Sequence, residues 1–513
     1  MHVNQCWACR DSRAVCNRVR PRCARCARSN RPCHYGLRLS WPKGINKKRS
    51  LTHSVQDVVG TAKRFSQTSF VNATSWDIQL HDYLRMNQGF TPSRTLPVTQ
   101  LILQRIGFGS HTGYVFQRLD PSMALSWLPT NLGYEDRELI DHFICTASST
   151  LAIFESDKNE FLGLLLRLAL SDSSPSSVAV LQSALALSSF HRHGLQASVF
   201  RFKARALRTL IISSKHCIES PTVFQHIAAS MILCHLEMLG MPNTLSLWFC
   251  HLSEARTLID NAGLDSQSFQ GEFSRLLDWV EYHMVMSRFS HRHWYINGES
   301  TRGVRNFAPV DQETCHSRKV KTASHCSHEI LRHLYNMFDM IRKPTDSLYH
   351  SDEYENSLRC LENKITSIVP LAPKGISDTM SDLSTAWVAT MDLLKLAALI
   401  YLKRASRNFS GTSPQIDAMV EKAHILLDDL ETFNLAFPLL IIGCEARTDE
   451  QRMRILEHIE RAMRTSTLRS LHGLQNILRR IWVQDDLAVD YELDYLKRLD
   501  AIISSYQIMP SFV

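Results

Sequence analysis

From about residue 135 onward, apolar side chains recur three and four positions apart, in runs separated by glycine or proline. The clearest runs are 161–170 (Phe-Leu-Gly-Leu-Leu-Leu-Arg-Leu-Ala-Leu), 178–190, 200–212, 223–239, 383–402 and 453–463. That period gathers the apolar positions on one face of an α-helix, whereas the two-residue alternation of a half-buried strand is rare. Pro175, Gly240, Gly263 and Pro414 punctuate the runs, where helices would start or stop. No unit of about 34 or 40 residues repeats in sequence, which leaves an irregular array of helix pairs open and predicts no regular solenoid. The fold class expected is mostly α.

Length and charge divide the chain. At 513 residues it exceeds the roughly 150 residues of one ordinary domain, and its 44% apolar content can fill a large core. The net charge of +8 is unevenly placed: residues 1–50 hold thirteen Lys and Arg against one acid, Asp11, which leaves 45 basic and 49 acidic side chains for residues 51–513. A basic arm on a slightly acidic body points to nucleic acid as partner. The organisation expected is a small module at 1–36, a partly disordered linker at 37–134 and an all-helical body at 135–510. The most apolar stretch, 388–402, is interrupted by Asp392 and Lys395 and is short of the ~20 residues that span a bilayer, so no membrane passage is expected.

Six of the fourteen cysteines fall between Cys6 and Cys33, spaced C-x2-C-x6-C-x6-C-x2-C-x6-C. Polar and basic residues follow Met1 in place of an apolar signal core, so reduced thiols are expected rather than a secreted disulfide framework. Each C-x2-C brings two thiolates to one metal, and two tetrahedral zinc ions need eight ligand positions where six cysteines supply six. Two sulfurs must then bridge. The internal repeat makes the leading cysteines, Cys6 and Cys23, the bridges, with one site of Cys6, Cys9, Cys16 and Cys23 and another of Cys23, Cys26, Cys33 and Cys6. Disulfides, a RING- or LIM-like fold and an iron–sulfur site are the competing readings. Against them stand the matched repeat, the absence of ligand histidines and the nine arginines from Arg10 to Arg38.

With those residues this segment resembles the fungal zinc binuclear cluster family: all six cysteines, Arg10 and Pro21 match its pattern, and Arg13 keeps the basic character of its position. The resemblance implies two Zn2+ ions on two short helices and contact with double-stranded DNA, commonly at a CGG triplet. It also implies that Pro21 shapes the loop between the lobes. Ser12, Val15 and Asn17 stand where the family usually has Arg or Lys, Lys, and Asp. Carried over by position, Arg10, Ser12, Arg13 and Arg18 face DNA. Arg13 is the stronger base reader, because a guanidinium can bond guanine bidentately and a hydroxyl reads bases degenerately. Lys47, Lys48 and Arg49 would suit phosphate contact or nuclear import. The segment 35–41 resembles the arginine-catabolism-regulator-like branch. The segments 164–172, 248–259 and 437–447 resemble the family's second type of fungal-specific transcription factor domain, which implies an all-α regulatory body.

Other motifs carry less. The Gly107-Phe-Gly-Ser-His-Thr-Gly113 segment is a poor nucleotide loop, and His291 and His293 are expected on the surface rather than on a metal. Residues 485–496 mix acids with bulky apolar groups, as an activation segment would, but Val489, Leu493, Leu496 and Ile503 share one face of a terminal helix. No catalytic residue is identified, so no enzyme is expected. The function expected is a nuclear, zinc-dependent transcription regulator of a metabolic or biosynthetic gene cluster. Its partners would be DNA, the transcription machinery and, with no heptad seam at 50–75 to settle it, a second copy of itself. The alternative is an accessory cofactor that keeps the cluster as a protein-binding module without reading DNA.

Overall fold

Several helices in this chain start where a neighbouring side chain takes a free N–H group of the first turn. The computed structural model describes residues 6, 8–9, 12, 14–35, 71–85, 133–151, 158–215, 220–240, 247–264, 273–294, 325–370, 381–465, 469–488, 491–506 and 508–513. They form two compact units, one within residues 1–91 and one within 92–513, with no strand among the described residues. The first unit holds α1 (Ala24–Arg28) and α2 (Ser75–Arg85). The second opens with α3 (Tyr134–Cys145), a 3-10 turn (Ala147–Thr150), α4 (Lys158–Leu170), α5 (Pro175–His193), α6 (Ala197–Ser213), α7 (Ser220–Gly240) and α8 (Leu247–Asn261). It continues through α9 (Phe273–Trp294), α10 (His325–Met340), α11 (Asp352–Ser367), α12 (Ser381–Arg407) and α13 (Pro414–Asp428). It closes with α14 (Ala436–Cys444), α15 (Asp449–Thr465), α16 (Arg469–Leu487) and α17 (Tyr495–Ser504).

The end signals explain these bounds. Ser174 caps α5 by accepting the Ser177 N–H (3.3 Å), and Pro175 takes the first helical position, where its missing N–H costs nothing. Gly194 ends that helix at φ +70°, in the left-handed region glycine enters freely. Ser351 and Asp494 cap α11 and α17 in the same way. All six apolar runs lie inside helices, and the glycine-107 segment lies outside the described residues.

Neighbours in sequence pair in space: α5 packs on α6 and α7, and α7 on α8. Helix α7 also meets α4, α6, α9 and α16, so it is surrounded, and Ile227, Met231, Ile232, Leu233 and Leu236 are fully buried. A helix enclosed on every side can be apolar all round. The stretches Thr222–Leu239 and Thr385–Arg407 are long and apolar enough to cross a membrane, but 89% and 61% of them are buried, which makes them interior helices of the body.

Farther along, α12 packs against α10, α11, α13, α14 and α17. Every residue of α14 is buried. A Cβ on Gly443 would meet Leu478 at 2.7 Å, and the Trp482 indole donates to the Gly443 carbonyl at 2.8 Å, so glycine permits the close approach of α14 and α16. Just past α14, Glu445 accepts two bonds from buried Arg404 (2.9 and 2.6 Å), whose remaining fork donates to the Gly411 and Phe409 carbonyls. The ring of Phe289 sits at the junction of Phe338, Tyr401, Phe437 and Phe512, with centroids 5.1–5.5 Å away. Phe512 belongs to the C-terminal tail, whose carbonyls at Met509 and Tyr506 accept the indole N–H groups of Trp248 (3.3 Å) and Trp294 (2.9 Å).

Two sequence expectations need correction here. His293 is buried, not on the surface: α17 and α12 cover the last turn of α9, and the imidazole bridges Asp500 (2.7 Å) and the Tyr401 hydroxyl (2.8 Å). His291 is half-buried, edge-on to Phe249. The 485–503 segment is not one helix; α16 ends at Leu487 and α17 begins at Tyr495. Leu493, Leu496 and Ile503 are buried as expected, while Val489 lies outside the described residues. Two of its acids are paired with the body, Asp486 with two Arg452 nitrogens (2.9 and 2.8 Å) and Asp485 with Arg498, and Asp494 caps α17, so these three are held by the fold.

Removing the Glu445 carboxylate strands the Arg404 guanidinium in the interior. Glu445→Ala should therefore destabilise the body by about 3–5 kcal/mol, read as an earlier urea midpoint by circular dichroism; an unchanged midpoint would count against a stabilising role for the pair. Phe512→Ala, which removes a fully buried ring, should cost a similar ~3–5 kcal/mol in the same assay.

Candidate metal centre

Among the described residues, the sulfurs themselves form most of the interior of the cysteine module. Cys6, Cys9, Cys16, Cys23 and Cys26 are buried against one another, and of the described residues Ala8, Cys33 and Tyr35 pack on them. Around Cys9 the chain makes a helical turn, with Ser12 N–H to Ala8 (3.2 Å) and Ala14 N–H to Cys9 (2.9 Å). Cys23 is the N-cap of α1 and its sulfur accepts the Cys26 N–H (3.4 Å), while the Cys33 sulfur accepts the Cys23 N–H (3.3 Å). Backbone donors thus orient two of the sulfurs, Cys23 and Cys33.

The sulfurs converge in two groups of four, Cys6, Cys9, Cys16, Cys23 and Cys6, Cys23, Cys26, Cys33, each with its donor atoms within 4.8 Å of one another. Cys6 and Cys23 are common to both. The resolved separations are 3.7 Å for Cys6–Cys23, 3.7 Å for Cys9–Cys23 and 3.6 Å for Cys6–Cys26. A tetrahedron with Zn–S bonds of about 2.3 Å has edges of about 3.8 Å, whereas a disulfide needs about 2.05 Å. The residues therefore fit two zinc ions and not disulfides. The Cys26 backbone N–H lowers the Cys23 thiol to about 6, while burial pushes Cys26 up to about 12 and raises Cys6 further. Without a cation the packed sulfurs cannot all ionise, so metal binding must expel protons.

Two side chains that sequence reasoning passed over complete the module. The Asn17 amide oxygen accepts the Ala24 N–H (3.0 Å), tying the linker after Cys16 to the start of α1. The Tyr35 hydroxyl donates to the Val19 carbonyl (3.0 Å), lies 3.7 Å from the Cys16 sulfur and carries the Arg20 guanidinium 5.3 Å over its ring. The Arg20–Pro21 peptide in this inter-lobe loop is cis. Position alone could have flagged both, since Asn17 follows a ligand and Tyr35 comes two residues after the last one.

Of the residues expected to face DNA, Ser12 and Arg18 are described, and Arg10, Arg13, Lys47, Lys48 and Arg49 lie outside the described residues. Both Ser12 and Arg18 are exposed. The Ser12 hydroxyl donates to Ala8 (2.8 Å), so its proton is engaged in its own turn and only its lone pairs face outward. Arg18 has φ +61°; against the effect of burial, hydrogen bonds from the Cys6 and then the Arg18 backbone lower the Cys16 thiol. Arg20, Arg22, Arg25, Arg28 and Arg31 are also exposed, giving the buried sulfurs a cationic shell. Val15 is 88% exposed.

Two four-sulfur groups under an exposed arginine surface, on a chain whose second unit is helical with no strand among the described residues, are what comparison with known proteins identifies as a zinc-dependent DNA-binding regulator of transcription. Residues 5–42 match the fungal Zn(2)-Cys(6) binuclear cluster domain and residues 138–506 the fungal specific transcription factor domain, so the chain belongs to the fungal Zn(2)-Cys(6) transcription factor family. It is 31% identical to transcription factor iacI of Pestalotiopsis fici over 389 residues, 75% of this chain and 98% of that protein. An uncharacterized transcriptional regulatory protein of Schizosaccharomyces pombe is 20% identical over 515 residues, covering 93% of this chain and 91% of that protein. No solved structure matches the chain significantly. The cofactor is accordingly a pair of zinc ions.

Metal analysis should find two zinc ions per chain. Cys23→Ser should lose both, because Cys23 belongs to both tetrads, while Cys33→Ser should keep part of the first. Asn17→Ala should retain both ions but release them faster to a chelator, in line with the ~1 kcal/mol of a lost helix cap. Full zinc occupancy in Cys23→Ser would refute the sharing.

Proposed function

We propose that the chain acts in the nucleus by reading a CGG-containing DNA site and so controls a metabolic or biosynthetic gene set. The observation that carries this reading is the pair of four-sulfur groups sharing Cys6 and Cys23 within an exposed arginine shell. Cys6, Cys9, Cys16, Cys23, Cys26 and Cys33 hold the metal. Arg13 reads bases with Arg10, Ser12 and Arg18 beside it, and Lys47, Lys48 and Arg49 contact phosphates. Base-edge bonds give sequence preference, and phosphate contacts give register and affinity. In this reading residues 1–36 form the DNA module, 37–134 the linker and 135–510 a regulatory rather than catalytic body that meets the transcription machinery, as a monomer or a homodimer. Buried titratable groups of the body joined in structural links, such as His293 to Asp500 and Tyr401, support that role.

Two observations favour a second reading, an accessory cofactor whose cluster binds protein. Val15 presents an apolar side chain where the resemblance expects lysine, and the hydroxyl proton of Ser12 is turned inward. Selection of sites from random duplexes by the zinc-loaded protein separates the two: enrichment of a CGG motif supports the first, and no enrichment the second.

Substitutions sharpen the comparison. Val15→Lys should tighten binding to selected and scrambled duplexes alike and steepen the log–log salt slope by about one, the signature of one added phosphate contact. Arg13→Ala should cost ~1–3 kcal/mol on the selected duplex and much less on the scrambled one. Titration of both variants across a salt series checks this, and equal losses on both duplexes for Arg13→Ala would refute its role as base reader.

A further inference from the structure

Helix α6 has one face too many. It buries Val199, Phe202, Ala206, Leu210 and Ser213, and it packs on α5 and α7. At about 100° per residue, the opposite face carries Phe200, Ile211, Arg208, Arg201, Ile212 and Arg205 in angular order, over an arc of about 140°. All six are exposed, with Phe200 at 49%, Ile211 at 61% and Ile212 at 42%. The helix contains no acidic residue. Its remaining cation, Lys203, is joined to buried Glu237, whereas Arg201, Arg205 and Arg208 form no ion pair among the described residues. A lone exposed isoleucine is ordinary, but three large apolar side chains interleaved with three unpaired arginines on one arc form a patch that marks an interaction site.

We propose that this face docks an amphipathic helix of a partner protein, one with an apolar stripe flanked by Glu or Asp. Charge complementarity selects that occupant. The patch is basic on a body whose residues 51–513 are net acidic, so within that body it is a local site of attraction for an acidic helix. An amphipathic helix places anchors at i, i+3, i+4 and i+7, and its stripe continues to i+11, the spacing of Phe200 and Ile211 about three turns apart on one side of α6. Duplex DNA fits worse, because phosphates gain nothing from Phe200 and Ile211. A second copy of the same face fits worse still, because it would oppose arginine to arginine.

The test uses the full-length zinc-loaded chain and two fluorescein-labelled peptides of identical composition: a helix with a leucine stripe flanked by glutamates, and a scramble that keeps the charge and loses the stripe. Fluorescence anisotropy should show the striped peptide binding at least about tenfold more tightly than the scramble. Combined Arg201→Glu, Arg205→Glu and Arg208→Glu should weaken it by at least about tenfold and abolish its salt dependence. Phe200→Ser with Ile211→Ser should also weaken it, Lys364→Glu on α11 should not, and unchanged helicity by circular dichroism accompanies each variant. Equal binding of the two peptides, or indifference to the arginine reversals, would overturn the proposal. So would reversals that cost affinity for random duplex DNA while sparing the peptide, or that dissociate a dimer seen by sedimentation.

Discussion

Eight coordination positions and six sulfurs is the constraint on which the first unit rests. Sharing Cys6 and Cys23 makes the two turns one object, since neither four-sulfur group is complete without a cysteine from the other turn. The described residues between 6 and 35 bury chiefly those sulfurs, and so short a segment cannot fold on apolar burial. The placement of the exposed arginines from Arg18 to Arg31 therefore depends on metal–sulfur bonding. The same constraint handles charge. Six thiolates around two divalent ions leave a formal excess of negative charge, and the arginines outside offset it while keeping the surface cationic.

The second unit is organised by enclosure. Helix α7 is surrounded and supplies apolar surface in every direction, and Phe289 plays the corresponding part at the junction of α9, α10, α12 and α14. Polar groups inside act as alignment devices. Arg404 holds Glu445 with two bonds and two carbonyls with the rest of its fork, which fixes the turn after α14 relative to α12. Such links are weak sources of net stability and strong sources of registry, because a shifted helix would leave a buried charge alone.

Much of this was legible in the sequence because the signals are local. Cysteine spacing pointed to Cys6 and Cys23, the two sulfurs that occur in both groups, and three-and-four apolar spacing located helices such as α5 and α12. What stayed hidden depends on contacts remote in sequence. His293 looked like a surface residue because its covers, Tyr401 and Asp500, are 108 and 207 positions away. Asp485 and Asp486 read as part of a free activating segment because Arg498 and Arg452, which engage them, are not part of that pattern. Local geometry hid Ser12 differently: composition shows a hydroxyl, and only the turn shows that its proton is taken.

Because Met509 and Phe512 are core residues, the second unit cannot finish its interior until its last segment has left the ribosome. At about 5–20 residues per second, the cysteine module emerges on the order of tens of seconds earlier. The two units thus mature in a fixed order, a metal-dependent one first and a burial-dependent one last. During that interval the surface of α9 around Phe289, against which Phe512 packs, stays open.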